Sequence, residues 1–187
     1  MGNRSGQKSK GSSSRLVMLL QIVILSCLAF ICCQDLLCRA VYWWCFPVLA
    51  ILMGVLKYNL LGLEHTLIDV AYGLFFLITQ LFILWIYFSA KHKKLINITD
   101  NYLGWGDVLF LIAIPFYLSP VNYVLFYVVS LILVLLYALT TTKLITNNKH
   151  IPLAGLQAAL LGIAMIIDYA VPNLVLYEDN WMYFLIN

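Results

Sequence analysis

Charge is what this sequence has least of. Only 10% of its 187 residues are Asp, Glu, Lys or Arg, while 64% are hydrophobic; soluble domains run at roughly 25% and 45–50%. A soluble fold of this length has no interior large enough for that surplus, so apolar surface must face lipid. The net charge of +3 comes from scattered residues, without the basic stripe that nucleic-acid binding requires.

Other absences narrow the chemistry. Five cysteines occur (Cys27, Cys32, Cys33, Cys38 and Cys45), yet no Cys-x-x-Cys pair, which excludes a zinc ribbon. All five lie in or beside apolar runs, where a thiol serves as a small polarisable packing group and a disulfide framework is not expected. His65, His92 and His150 are far apart and fit no metal-ligand spacing, so no metal is expected. A Ser/His/Asp constellation, a phosphate-binding glycine loop and a dinucleotide fingerprint are all missing, and no cofactor is implied. Internal repeats, which many transporters carry, are absent too.

What is present is a series of long apolar runs punctuated by charge. A spanning helix needs about 20 mostly apolar residues. The first run, Leu16 to Cys33, follows a polar tail and ends at Gln34-Asp35. The second lies between Arg39 and Lys57, the third between about Leu67 and Ala90, before Lys91-His92-Lys93-Lys94. Val108 to Thr142 carries no charge and is too long for one crossing. Ser119-Pro120 divides it into a short helix affected by Pro115 and another from about Val121. A sixth run, Ile151 to about Ala170, precedes Pro172-Asn173. The expectation is an all-α polytopic bundle of six membrane helices over residues 16–172. A disordered tail, 1–15, precedes it, and a short tail, 173–187, follows. Residues 1–25 look superficially like a signal peptide, with Leu25-Ser26-Cys27 faintly like a lipoprotein site. Cleavage there would destroy the first span and strand Asp35 on a stub, so the segment is read as a span.

Lys and Arg counts in loops orient such a bundle. Arg39, Lys91, Lys93, Lys94, Lys143 and Lys149 fall on one side. Lys57 and the tail residues Arg4, Lys8, Lys10 and Arg15 fall on the other. Leaving the tail aside, the first side is cytoplasmic, and Glu178-Asp179 lies opposite. The basic tail on the outer side has no explanation in this scheme. Tyr42, Trp43, Trp44, Tyr102, Trp105 and Trp181 sit near span ends, as interfacial aromatic belts do.

With only eight acidic residues, each can be weighed. Glu64, Asp100, Glu178 and Asp179 lie in loops or the C-terminal tail. Asp69 and Asp168 read as interfacial carboxylates near outer helix ends. Asp35 is different, because it ends a helix where the dipole disfavours an anion, although Arg39 is placed to compensate it at i+4. Asp107 opens the fourth span in Gly104-Trp105-Gly106-Asp107, where the ordinary role is helix capping. Asp35 follows one crossing and Asp107 follows three, so both carboxylates lie on the same side in either orientation. Lys143–His150, after five crossings, joins them. If the two carboxylates meet, repulsion and desolvation leave them sharing one proton near neutrality. Such a pair deprotonates water with one member and protonates a scissile carbonyl with the other. Glycines at 104 and 106 let backbone and substrate approach closely.

Three segments carry a resemblance. Gly104-Trp105-Gly106-Asp107 resembles the Gly-x-Gly-Asp motif of intramembrane-type aspartic proteases, shared by presenilin-like enzymes. Asp35-Leu36-Leu37-Cys38-Arg39-Ala40-Val41, leading into Pro47, is similar to the first-aspartate segment of the type IV prepilin peptidase family. Lys149-His150-Ile151-Pro152-Leu153-Ala154-Gly155 resembles that family's closing motif at the start of the last helix. The segments fall in the family's order across most of the chain. The resemblance implies a membrane aspartic endopeptidase of type IV pilus or secretion systems in the cytoplasmic (inner) membrane. Its partners would be the bilayer and a prepilin-like or pseudopilin-like precursor, whose short basic leader is cut at the cytoplasmic face. It makes Asp35 and Asp107 the catalytic pair, with Gly104, Trp105, Gly106 and Arg39 as supporting motif residues. Ile151, Pro152 and Gly155 become candidates for a substrate groove. The zinc-binding methylation module of longer members has no counterpart, so the chain is similar to peptidase-only forms. Tyr42-Trp43 replace the usual Pro-Asn, and Gly155-Leu156 the second Pro-Phe, departures that bear on substrate preference more than on the chemistry. Two alternatives stand beside this reading: a small proton- or cation-coupled transporter, and a catalytically silent homologue with an assembly role. Homo-oligomerisation is left open.

Overall fold

A computed structural model describes residues 5–38, 41–92, 104–142, 153–171 and 175–179. Among them all regular structure is helical, as the composition and apolar runs lead one to expect. The elements are α1 (Ser5–Cys38), α2 (Cys45–Leu61), α3 (Leu63–His92), α4 (Trp105–Ala113), a 3-10 turn (Ile114–Phe116), α5 (Pro120–Thr142) and α6 (Leu153–Ala170).

Of the six expected spans, two are shorter than the other four. Four stretches are long and apolar enough to cross a membrane: Ser14–Cys38, Leu63–Lys91, Pro120–Tyr137 and Leu153–Ala170. Cys45–Leu61 and Trp105–Phe116 are shorter apolar helices. Local chemistry explains both. Tyr42–Trp44 form a turn, Cys45 N–H donating to the Tyr42 carbonyl at 3.0 Å, so α2 starts five residues later than its apolar run. Pro47 then sits in the first helical turn, where its missing N–H has no partner to lose. At the other end Gly62 adopts φ +87°, a left-handed value that favours glycine, and the chain reverses directly into α3. In α4 the α-helical pattern stops before Pro115, and Ile114–Phe116 tighten into a 3-10 turn with Tyr117 N–H on the Ile114 carbonyl at 2.9 Å. The N-terminal tail also departs from expectation, because α1 is continuous from Ser5. Extending a helix already nucleated by the apolar run fixes one residue per added hydrogen bond, far cheaper than starting anew.

α1 packs along α6 and α2, and α4 lies against α2 and α6. Ile24, Leu28 and Ile31 of α1 recur at helical spacing and are fully buried; Leu49, Met53 and Leu56 do the same on α2. Phe110 and Ile114 belong to the same buried cluster as Ala158 and Leu161 of α6. The outer faces of α1, α3 and α5 stay apolar and exposed, as at Leu19, Phe75 and Leu135. Such a surface suits lipid better than water. Within the bundle, buried Gln157 of α6 donates to Ser130 Oγ of α5 at 3.1 Å, a polar tie of the kind that joins membrane helices.

Candidate functional site: two carboxylates on one helix terminus

Asp35 lies within α1, three residues before its end, and is 9% exposed. Its Oδ2 accepts the N–H of Gly155 at 2.5 Å. Asp107 is the third residue of α4, and its carboxylate accepts from the Gly104 N–H at 3.2 Å. Asp107 also faces the backbone of Ala154 and stands within electrostatic reach of Asp35. Two carboxylates from α1 and α4 thus converge on the first turn of α6, Asp35 on the Gly155 N–H and Asp107 beside Ala154.

The attraction follows from backbone chemistry. The first N–H groups of a helix have no partner inside it, and the aligned peptide dipoles make that end positive. α6 therefore offers Asp35 a donor and both carboxylates a favourable field, and this offsets part of the repulsion between them. The C-terminal dipole of α1 disfavours Asp35 taken alone; the facing N-terminus of α6 answers it across the bundle.

Gly155 is required by contact. A Cβ there would stand 2.9 Å from both Cβ and Oδ2 of Asp35, a distance side chains do not tolerate. At Gly104 a Cβ would lie 3.0 Å from Asp107 Oδ2, whereas at Gly106 it would meet Phe46 at an ordinary 3.6 Å. The two motif glycines are therefore not equivalent, and only Gly104 is tight against the carboxylate. Trp105 is 65% exposed at the start of α4. Arg39, Ile151 and Pro152 lie outside the described residues. Among the described residues no three His, Cys, Asp or Glu side chains are placed to hold a metal ion.

A second polar group, which the sequence reading did not anticipate, lies at the opposite end of the bundle. Lys57, taken above as a boundary residue, is fully buried inside α2. Its Nζ pairs with Asp69 of α3 at 2.7 Å and donates to the Leu118 carbonyl at 2.8 Å. Asp168 accepts from Tyr117 Oη at 2.8 Å and from the Leu176 N–H at 3.1 Å. Asn122 Nδ2 donates to the carbonyls of Val175, Leu176 and Glu178. Asp69 and Asp168 are thus held by protein partners, which their reading as simple interfacial carboxylates missed. The available signal was the twelve-residue separation of Lys57 and Asp69 across one tight turn at Gly62, which sets opposite charges on facing helices.

Comparison with models of known families, with curated proteins and with solved structures found no match.

Proposed function

We propose that the chain is a membrane-embedded aspartic endopeptidase that removes a short basic leader from prepilin-like precursors at the cytoplasmic face of the inner membrane. The observation carrying this reading is the convergence of Asp35 and Asp107 on the first turn of α6, where Asp35 accepts the Gly155 N–H and Asp107 lies within electrostatic reach of Asp35. In this reading α2 and α4 are short passes within the bundle, α4 ending before the opposite face. One carboxylate takes a proton from water, which attacks the scissile carbonyl carbon; the other gives its proton to the carbonyl oxygen. Collapse of the tetrahedral intermediate breaks the C–N bond, and the amine leaves with a proton returned from the dyad. A basic leader is drawn by the anionic pair.

The transporter alternative has less behind it. Between the dyad and Lys57 the described core consists of Leu49, Met53, Phe110, Leu111 and Ile114, all at most 3% exposed. An ion crossing past these side chains would meet an apolar barrier.

Co-expression with a panel of basic-leader precursors, followed by mass determination of each product's N-terminus, tests the proposal. A product shortened by its leader supports it. Intact precursors across the panel, with the protein present in the membrane, would overturn it.

A further inference from the structure

α4 and its 3-10 turn comprise Trp105–Phe116, which rise roughly 20 Å in a hydrocarbon layer of about 30 Å. With Asp107 at one face, this element stops well short of the other. The last carbonyls of a helix lack partners within it, and inside lipid no water serves them. Other elements supply donors at that depth. Tyr123 Oη of α5 donates to the Leu111 carbonyl at 3.0 Å, and Lys57 Nζ of α2 donates to Leu118 at 2.8 Å. Leu118 and Ser119 are both only 2% exposed. The ammonium is balanced by Asp69 at 2.7 Å, with Asp179 also within electrostatic reach. The Ser119 N–H donates to the Leu176 carbonyl at 3.2 Å, so the segment 175–179 closes the same floor.

We infer that Lys57, held by Asp69, is a positioning residue: by holding the Leu118 carbonyl, in the link just beyond the 3-10 turn, it sets the depth at which α4 presents Asp107. The ammonium ties the link that follows α4 to α2 and α3 inside the bundle. Without it the Leu118 carbonyl has lost its charged donor, and α4 shifts along its axis to regain one. The shift carries Trp105 and Asp107 with it. Its consequence for cleavage rests on the peptidase reading, but the displacement itself does not.

The test uses the full chain in native membranes, with its five cysteines replaced by serine or alanine. Trp105→Cys reports the start of α4, and Leu37→Cys, at the 82% exposed end of α1, serves as control. Both are labelled with a membrane-impermeant maleimide. Lys57→Met changes the labelling rate at Trp105→Cys and leaves Leu37→Cys unchanged; Lys57→Arg, which keeps a charged donor, returns the parental rate. An unchanged rate at Trp105→Cys in Lys57→Met overturns the inference, as does failure of Lys57→Arg to differ from Lys57→Met. Where Lys57→Met does not accumulate, Asp69→Asn decides: it weakens the hold on the ammonium and moves labelling at Trp105→Cys alone, and no movement overturns the inference. Precursor cleavage is measured in parallel on the chain with its own cysteines. A labelling shift with no cleavage by the parental protein leaves the positioning role standing and removes the peptidase reading.

Discussion

Asp35 and Asp107 are held by groups that differ in how visible they are. Their carboxylates can be picked out because the chain has eight acidic residues in all and because the apolar runs, read as crossings, place both on one side. What brings them together, the chain at Ala154 and Gly155, acts through the backbone that every residue shares. Only the glycine leaves a trace in the sequence, through the space that Asp35 fills beside it. Gly155→Ala therefore tests the contact directly. The new Cβ would lie 2.9 Å from Asp35, and displacement of the carboxylate by the order of 1 Å is expected to lower cleavage about a hundredfold. The purified variant should keep its helical content, as followed by circular dichroism. Unimpaired cleavage would show that Asp35 tolerates the move.

The elements show where hydropathy reads well and where it does not. α3, α5 and α6 coincide with their apolar runs to within a few residues, because nothing competes with an uninterrupted run. α2 and α4 do not, because turn chemistry decided their ends: the Tyr42–Trp44 turn, Gly62 and Pro115. Lys57 misled for a related reason, since a lone charge marks a span boundary unless a partner lets it go inside. Asp69 is that partner, and its role depends on a three-dimensional pairing. Close helix packing at the same level gives a second test. Gly73 of α3 passes Pro115 so closely that a Cβ would stand 2.7 Å from the proline Cβ. Gly73→Ala is expected to cost about 1–3 kcal/mol and to lower the thermal midpoint of the detergent-solubilised protein by several degrees. The same substitution at Gly106, where a Cβ meets Phe46 at 3.6 Å, should leave that midpoint nearly unchanged.

At the scale of the whole molecule, the described buried charge is gathered at two ends, and between them the core is apolar apart from the Gln157–Ser130 pair. One end holds the carboxylate pair on the α6 terminus; the other holds Lys57, Asp69, Asp168 and the segment 175–179. This division predicts opposite sidedness. In a cysteine-free chain, Leu37→Cys and Trp105→Cys should be labelled by impermeant maleimide from the same face, and Glu64→Cys, exposed at the start of α3, from the other. Labelling of all three from one face would contradict the bundle. The all-helical plan with long apolar helices was open to sequence reading through the scarcity of charge. The polar floor was not, because its members lie on α2, α3, α5, α6 and the C-terminal segment, and none carries a local pattern.

The central claim is that Asp35 and Asp107 act together on a peptide bond. Its most direct measurement is the mass of a basic-leader precursor's N-terminus after exposure to the parental protein, Asp35→Asn and Asp107→Asn. Asparagine keeps an oxygen to accept the Gly155 N–H at position 35 or the Gly104 N–H at position 107 but cannot take up or release the proton. Both variants should remain folded in the membrane. The account predicts leader removal by the parental protein alone; normal processing by either variant would contradict it.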